Sequence, residues 1–132
     1  MKQLTTHTHT NCFFSNSPAN QWLQLDIGPP TMITGLVSKG RLDSRKKQWV
    51  TKYKISYSND TEKWHFYRDA PHLDPKEFGG NMDKDIERYH YLNSPFVARY
   101  VRFHPLDWQH HISMRAGVIG CPYKGRPTSF KK

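Results

Sequence analysis

Short runs of alternating apolar and polar residues, separated by turn-forming residues, make up most of the sequence. The clearest run is residues 49–57, WVTKYKISY, whose odd-numbered positions are all aromatic or β-branched and whose even-numbered positions are mostly polar. A period of two residues with one apolar face is typical of a half-buried β-strand. We therefore predict a strand that packs on a core through its odd-numbered residues.

Further segments predict strands by the same criterion. They are residues 22–27, 32–37, 64–67, 96–103 and 112–119. We expect Gly28, Pro29 and Pro30 to end the first of these, because glycine and proline interrupt strands. The polar residues 58–63 predict a hairpin loop. Residues 69–94 are polar and rich in Asp, Pro and Gly, which is typical of an irregular loop with one short strand.

No segment has the period of an amphipathic helix, so the sequence predicts an all-β fold. Many short strands with turn residues between them are typical of an antiparallel β-sandwich. The pattern by itself fits a jelly roll and an immunoglobulin-like sandwich equally well.

The charge of the chain narrows the kind of partner. The 132 residues predict one domain, and 20 Lys and Arg against 11 Asp and Glu give a formal net charge of +9. This excess favours an acidic partner: an anionic lipid headgroup, a sulfated glycan, nucleic acid or an acidic protein surface. No apolar run is long enough to span a membrane, and residues 1–10 lack the apolar stretch of a secretory signal. We therefore expect a soluble domain.

The sequence offers no support for catalysis or for a bound cofactor. It contains no motif for a serine or cysteine nucleophile, no glycine-rich phosphate loop and no obvious pair of catalytic carboxylates. Its 8 histidines have no spacing that requires a metal ion. The aromatic residues, including the four tryptophans, are interpreted as inward-facing, which argues against a stacking platform for nucleic acid. We predict no enzyme, no cofactor, no metal site and no nucleic-acid partner.

Cysteine and asparagine supply two conditional predictions. Cys12 and Cys121 fit one disulfide in an oxidising compartment and two free thiols in a reducing one. Asn59 begins the triplet Asn-Asp-Thr, which is an acceptor for N-glycosylation if the chain is secreted.

A cationic segment precedes the clearest strand. Residues 41–48 read RLDSRKKQ and carry four cations within eight positions. Because residues 49–57 predict a strand, we expect this segment to be a loop at one end of the sheet, where binding residues are commonly found.

Ordered motifs along residues 11–123 resemble one family. They are QWLQLDIG at residues 21–28, ITGLV at 33–37 with GR at 40–41, WVTKYKISYS at 49–58, FGGN at 78–81, ARYVRF at 98–103 and GC at 120–121. In this order they resemble the discoidin family, also called the coagulation factor five and eight C-type domain. Among its members, the chain looks most similar to the modules of retinoschisin and of the contactin-associated, neurexin-like adhesion proteins.

The resemblance implies a galactose-binding-like jelly-roll sandwich whose loops at one end form a ligand-binding rim. It places a discoidin-like domain at residues 11–123, between a flexible segment, residues 1–10, and a flexible basic tail, residues 124–132. Members of the family begin with a cysteine and a strand well before the segment that matches Trp22. We therefore expect the first strand to be missing or shortened, and Cys12 to be the candidate disulfide partner of Cys121.

The resemblance also selects the candidate binding residues. They are Asn16, Ser17, Asn20, Leu42, Arg45, Lys46, Lys47, His110 and His111. Leu42 is the one apolar residue in its loop, so we expect electrostatic contact with a membrane surface and no insertion. The alternative is that Arg45, Lys46 and Lys47 belong to an ordinary solvated turn.

These expectations lead to two hypotheses about function. The first is an extracellular, non-enzymatic adhesion module that recognises an anionic glycan, a phospholipid headgroup or an acidic protein surface through the rim. The second is a structural subunit of a larger assembly, held by shape-complementary contacts and by pairing at a strand edge.

Overall fold

The computed structural model describes residues 5–15, 21–40, 48–83, 85–110 and 112–123. Within these ranges the strands are β1 (Thr5–Ser15), β2 (Leu23–Lys39), β3 (Trp49–Ser58), β4 (His65–Phe66), β5 (Phe78–Gly79), β6 (Arg88–Gln109) and β7 (Ile112–Pro122). All strand pairs are antiparallel, which confirms the predicted all-β antiparallel fold. Nowhere in these ranges is there a helix of the length and apolarity needed to cross a membrane.

The strand order β1-β7-β2-β6-β3-β4, with β5 paired to β3, forms a sandwich because β2 and β6 are long and bent. In β2, residues 23–26 pair with β6 alone, whereas residues 31–39 pair with both β6 and β7. In β6, residues 88–98 pair with β2, and residues 100–109 pair with β3. Layer one therefore contains β3, β4 and β5, and layer two contains β1 and β7. Each long strand contributes one half to each layer.

The bend in β2 corrects a predicted strand end. The register of β2 shifts between Asp26 and Thr31, and Gly28 has a φ of 96°, a backbone conformation that glycine adopts without steric cost. Gly28, Pro29 and Pro30 thus bend the strand and carry it into the other layer. They do not end it, because pairing with β6 resumes at Thr31.

β6 corrects a predicted loop in the same way. It begins at Arg88, whereas residues 69–94 were expected to be largely irregular. Residues 88–91 are mostly exposed and polar or aromatic, so they show little apolar alternation. Backbone pairing with residues 35–38 of β2 nonetheless holds them in a strand.

The core lies between the two layers and is built from the inward residues of the predicted strands. Its largest fully buried side chains include Tyr53, Phe103, Leu25, Ile33 and Leu36. The Tyr53 ring lies 5.3 Å from that of Phe103, between centroids, and burial raises the pKa of its hydroxyl. The predicted inward face of β3 is therefore correct at its centre.

The first strand is present, which differs from the expected flexible segment at residues 1–10. β1 starts at Thr5 and pairs with β7 from Thr5 opposite Gly120 to Ser15 opposite Ile112. Without β1, the backbone groups along this side of β7 would have no partner in the sheet. Alternating threonine and histidine at residues 5–10 suit this position, because β-branched residues favour extended backbone.

The register of β1 separates Cys12 from Cys121, the candidate disulfide pair. Cys12 lies in the irregularity between His9, opposite Ala116, and Phe13, opposite Met114. Cys121 lies six residues further along β7, so at about 3.3 Å per residue the two Cα atoms are about 20 Å apart. A disulfide needs a Cα separation below about 7 Å, and Cys121 is a free cysteine.

Two tryptophans lie on the outer face of layer one, whereas the sequence interpretation placed them in the core. Trp22 and Trp64 enclose the Arg102 guanidinium, whose central carbon is 3.8 Å from each ring centroid. Arg102 Nε also donates to Gln24 Oε1 at 2.9 Å. Trp22 alternates with the inward Leu23, so its outward direction follows from the pattern. Cation–π stacking on Arg102 therefore stabilises both rings outside the core.

The hairpin turn after β3 is held by side-chain hydrogen bonds. Ser58 Oγ accepts from the backbone N–H groups of Asp60 and Thr61 at 3.1 and 2.9 Å. Asp60 Oδ1 accepts from the N–H groups of Lys63 and Glu62 at 3.0 and 2.8 Å, and these bonds lower the pKa of Asp60. The turn places Thr61 at a φ of 65°.

Replacing Thr61 with glycine is expected to stabilise the fold by about 1 kcal/mol. A β-branched residue at positive φ is strained, at a cost of about 1–2 kcal/mol, and glycine removes most of that strain. The gain is reduced by the greater entropy of glycine in the unfolded chain. Urea unfolding of both proteins measures the difference, and an unchanged or lower midpoint for Thr61→Gly would contradict it.

Candidate binding rim

One end of the sandwich collects the ends of most strands, and we call this end the rim. Ser15 at the end of β1 lies opposite Ile112 at the start of β7. Gln109 at the end of β6 lies opposite Trp49 at the start of β3. The end of β2 also lies here, because Lys39 is opposite Arg115. The loops that leave these strands therefore start from one end of the molecule.

Most of the sequence-predicted binding residues lie outside the described residues. They are Asn16, Ser17, Asn20, Leu42, Arg45, Lys46, Lys47 and His111, and their role stays a prediction. His110 is described: it is exposed, follows the end of β6 directly and has a φ of 64°. It lies at the rim because its neighbour Gln109 pairs with Trp49.

A further loop reaches the rim and was missed by sequence reasoning. Residues 80–87 join β5 to β6, and this loop contacts the start of β3, because Asn81 N–H donates to the Val50 carbonyl at 2.8 Å. Met82 and Ile86 on this loop are 84% and 69% exposed. The sequence does show two large apolar residues inside the polar segment NMDKDIE. They were overlooked because the whole segment was interpreted as a polar, irregular loop.

Asn81 fixes the loop to the sheet. Its side chain is buried, and Nδ2 donates to the Ser38 carbonyl at 3.0 Å and to the Ile86 carbonyl at 2.9 Å. The first bond ties the loop to the end of β2, and the second closes the loop on itself. A buried amide with two such bonds resists displacement, because each lost bond would leave a buried polar group unsatisfied. Met82 is thus attached directly to a rigid anchor.

Asp83 shapes the tip of the same loop. Its Oδ1 accepts from the backbone N–H groups of Asp85 and Ile86 at 2.9 and 2.8 Å. This arrangement is an Asx-type turn, in which a carboxylate replaces a backbone acceptor. Asp83 therefore stabilises the turn. A shallow cavity of about 210 Å³ lies beside it, between Met82, Ile86 and Arg88.

Charge is balanced among the described rim residues. Lys39, Arg88 and Arg115 stand against Asp83, Asp85 and Glu87. Residues 41–47, which follow β2 in the sequence and lie outside the described residues, add four Lys and Arg and one Asp. Two of the arginines are oriented by backbone carbonyls: Arg88 donates to Gly80 O at 3.0 Å and Arg115 to Gly40 O at 2.7 Å. The described residues contain no group of three or more His, Cys, Asp or Glu side chains able to share a metal ion.

Comparison with known proteins decides the family. The family model described as F5/8 type C domain matches residues 4–118, which is most of the sequence. The chain belongs to the F5/8 type C domain family. This finding confirms the resemblance inferred from the sequence motifs, and the match begins one residue before β1.

This F5/8 type C domain is similar to single domains of longer proteins. It is 38% identical over 107 residues to lactadherin of Sus scrofa, covering 81% of this chain and 26% of lactadherin. It is 36% identical over 104 residues to Neurexin-4 of Drosophila melanogaster, covering 79% of this chain and 8% of that protein. The chain thus spans about a quarter or less of these two relatives.

Among solved structures, the F5/8 type C domain is similar to discoidin II of Dictyostelium discoideum. The TM-score is 0.68 at 24% identity, covering 93% of this chain and 56% of discoidin II. At this identity the likeness establishes the fold, which confirms the jelly-roll sandwich. The binding residues of this chain have to be argued from its own rim.

Proposed function

We propose that this domain is a non-enzymatic, extracellular adhesion module that binds anionic phospholipid surfaces through the rim. One observation carries the proposal: Met82 and Ile86 are large apolar side chains that project from an anchored loop at the rim. Exposed apolar residues combined with cations bind an interface between lipid headgroups and acyl chains. Arg88 is the described cation beside this loop, and the four cations among residues 41–47 have to offset Asp83, Asp85 and Glu87.

Apolar burial supplies one part of the affinity. Moving an exposed Met or Ile side chain out of water contributes about 1.5–3 kcal/mol. Met82 and Ile86 can both enter the headgroup region without unfolding the loop, because Asn81 and Asp83 hold its backbone below them. The sequence interpretation, based on Leu42 alone, expected contact without insertion. The proposal now includes shallow insertion of two side chains.

Electrostatic attraction supplies the other part. Each cation close to an anionic membrane contributes about 1 kcal/mol, and the attraction fades within a Debye length. Residues 41–47 carry four cations and lie in the sequence between the end of β2 and the start of β3. Arg88 lies opposite Ser38, close to the end of β2. Long-range attraction then brings the rim to the surface, and the apolar side chains fix it there.

Neutralising Lys46 and Lys47 tests the electrostatic part. Lys46→Gln/Lys47→Gln is expected to weaken binding to phosphatidylserine-containing vesicles about 30-fold, since two cations contribute about 2 kcal/mol. Cosedimentation with phosphatidylcholine vesicles, with and without phosphatidylserine, measures the affinity at several salt concentrations. Lys63→Gln/Arg68→Gln is the matched control, because both residues are exposed and lie away from the rim. Equal losses in the two variants would count against rim-specific attraction.

Heparin in the same assay separates lipid from sulfated glycan. A glycan bound by cations alone would depend on Lys46 and Lys47 but not on Met82 and Ile86. Tight heparin binding with no binding to phosphatidylserine vesicles would replace the lipid proposal by the glycan alternative.

A second candidate function is supported by the position of β1. Among the described strands, β1 is at one edge of the strand order and pairs with β7. A strand at the edge of a sheet can pair with another chain. The domain would then be a subunit of a larger assembly. Light scattering over a range of concentrations distinguishes the two: a monomer that binds vesicles supports the adhesion module, and a concentration-dependent oligomer supports the assembly.

A further inference from the structure

The hairpin turn after β3 lies at the end of the sandwich opposite the rim. β3 starts at the rim with Trp49 and ends at Ser58, nine residues later, which at about 3.3 Å per residue separates the two ends by about 30 Å. Asn59 follows directly, and its side chain is exposed. The triplet Asn59-Asp60-Thr61 is the only Asn-x-Ser/Thr acceptor, with x other than proline, in the sequence.

The hydrogen bonds of the turn hold Thr61 in a strained conformation. Its backbone N–H donates to Ser58 Oγ, and its hydroxyl donates to the Asp60 carbonyl. Thr61 has a φ of 65° and is exposed, so burial does not offset its strain. Glycine or asparagine would fit this conformation better. A residue in an unfavourable conformation at the surface points to a use for its side chain. A hydroxyl two positions after asparagine is what N-glycosylation requires.

A cavity lies directly beside Asn59. Its volume is about 190 Å³, and its wall is formed by Tyr57, Ser58, Asn59, Asp60, Lys63 and His65. Tyr57 is half-buried, two residues before Asn59, and it is held rigidly, because its ring is stacked on Phe96 with centroids 3.9 Å apart. The His65 ring lies 5.7 Å from it. An aromatic wall with polar groups around it is typical of a site that receives a sugar ring.

We propose that Asn59 carries an N-linked glycan whose innermost N-acetylglucosamine packs in this cavity against Tyr57. The inference rests on the extracellular placement in the proposed function, but not on lipid binding. In the transfer, Asn59 Nδ2 bonds to C1 of the sugar, the bond from C1 to a lipid-linked pyrophosphate breaks, and the amide loses one proton. The amide keeps its second N–H, so its contact with the Val97 carbonyl at 3.5 Å can persist.

The N-acetylglucosamine ring and the Tyr57 ring have surfaces that can pack against each other. One face of an N-acetylglucosamine ring exposes C–H groups, which pack on an aromatic ring and exclude water from it. Tyr57 loses little side-chain entropy on contact, because Phe96 already fixes its ring. The glycan therefore stabilises the folded state, and it leaves the rim accessible because it lies at the far end.

Expression of the full chain behind a secretory signal in cultured human cells tests the inference. Protein from both the medium and the endoplasmic reticulum is treated with peptide-N-glycosidase and analysed by peptide mass spectrometry. We expect one glycan at Asn59, its loss in Thr61→Gly and its retention in Thr61→Ser. Translocated chain without a glycan in both fractions would overturn the inference.

Thermal unfolding tests the packing on Tyr57. Enzymatic removal of the glycan is expected to lower the Tm by about 3 °C, the size of shift that one aromatic contact produces in a domain of this length. In Tyr57→Leu the same treatment should leave the Tm nearly unchanged. If Tyr57→Leu does not fold, nuclear Overhauser effects between the Tyr57 ring and the sugar C–H protons in the unsubstituted protein decide instead. Their absence would overturn the packing.

The two proposals fail separately. A glycosylated chain that ignores phosphatidylserine vesicles would contradict the lipid-binding rim and leave the glycan at Asn59 standing. A chain that binds vesicles but is secreted without a glycan would contradict the glycan at Asn59 and leave the lipid-binding rim standing.

Discussion

Replacing Met82 and Ile86 together with alanine is expected to weaken binding to phosphatidylserine-containing vesicles about 100-fold. Each substitution removes three non-hydrogen side-chain atoms. With shallow insertion these contribute about 1.5 kcal/mol per residue, so the pair contributes about 3 kcal/mol. The loop keeps its shape, because Asn81 and Asp83 hold it through bonds that do not involve the two substituted side chains. Vesicle cosedimentation measures the affinity, and circular dichroism verifies the fold.

Leu73→Ala is the matched control for this double variant. Leu73 is also an exposed apolar residue, 42% accessible, but it lies in the loop after β4 and away from the rim. Its substitution should leave vesicle affinity unchanged. A comparable loss in Leu73→Ala, or full affinity in Met82→Ala/Ile86→Ala, would show that the rim loop does not enter the membrane.

Salt dependence separates the apolar contribution from the electrostatic one. Apolar burial is insensitive to moderate salt, whereas attraction between exposed charges is screened. The variant Met82→Ala/Ile86→Ala should therefore lose affinity equally at low and high salt. Lys46→Gln/Lys47→Gln should lose most at low salt and little at high salt. The two variants act on different interactions, so their losses should be additive.

The sequence predicted strands correctly where one face of the strand is apolar. The alternation of residues 49–57 placed Tyr53 and Ile55 in the core, and both are fully buried. Periodicity reports which face of a strand is buried, but it carries no information about where the strand bends. The Gly-Pro-Pro segment was therefore interpreted as an end, although β2 continues through it to pair with both β6 and β7.

Pairing without apolar alternation explains the other errors in the fold. β1 and residues 88–91 of β6 are strands whose sequences are largely polar. They are held by backbone hydrogen bonds to a neighbour, Ile112 opposite Ser15 being one example. That neighbour is distant in sequence, so local patterns do not identify it. The separation of Cys12 from Cys121 has the same origin, because it follows from the register of β1 and not from any local pattern.

The sequence-predicted site residues stay a prediction, and the loop that bears Met82 and Ile86 was not among them. The end of the sandwich that bears residues 42–48 was inferred from the motif order, and the strand ends on either side of that loop do meet there. Met82 and Ile86 escaped notice because a loop is commonly judged by its average polarity. Their exposure depends on Asn81, whose hydrogen bonds to Ser38 and Ile86 orient the loop. Such long-range bonds cannot be read from the sequence.

Replacing Gly80 with alanine is expected to destabilise the fold by about 3 kcal/mol and to weaken vesicle binding in the protein that remains folded. A Cβ at this position would lie 2.3 Å from the Val50 carbonyl oxygen and 3.0 Å from the Thr51 carbonyl carbon, both of which are backbone atoms. The backbone must therefore move, and the hydrogen bond from Gly80 N to Thr51 O, 2.8 Å long, would be broken. Asn81 and Met82 follow directly, so the displacement reaches the proposed binding loop.

The neighbouring glycine provides a control for this prediction. A Cβ at Gly79 would lie 3.1 Å from Arg88 Nη2, the end of a long side chain that can shift by a few tenths of an ångström while Nη1 keeps its hydrogen bond to the Gly80 carbonyl. Gly79→Ala should therefore change the free energy of unfolding by less than about 1 kcal/mol and preserve vesicle binding. Urea unfolding and cosedimentation, both performed at low temperature to keep Gly80→Ala folded, measure the two effects. Equal stability of the two variants would mean that Gly80 does not hold the loop against β3. If Gly80→Ala is destabilised but keeps full vesicle affinity, the contact of Gly80 with β3 is not needed for binding, and the position of Met82 does not depend on that contact.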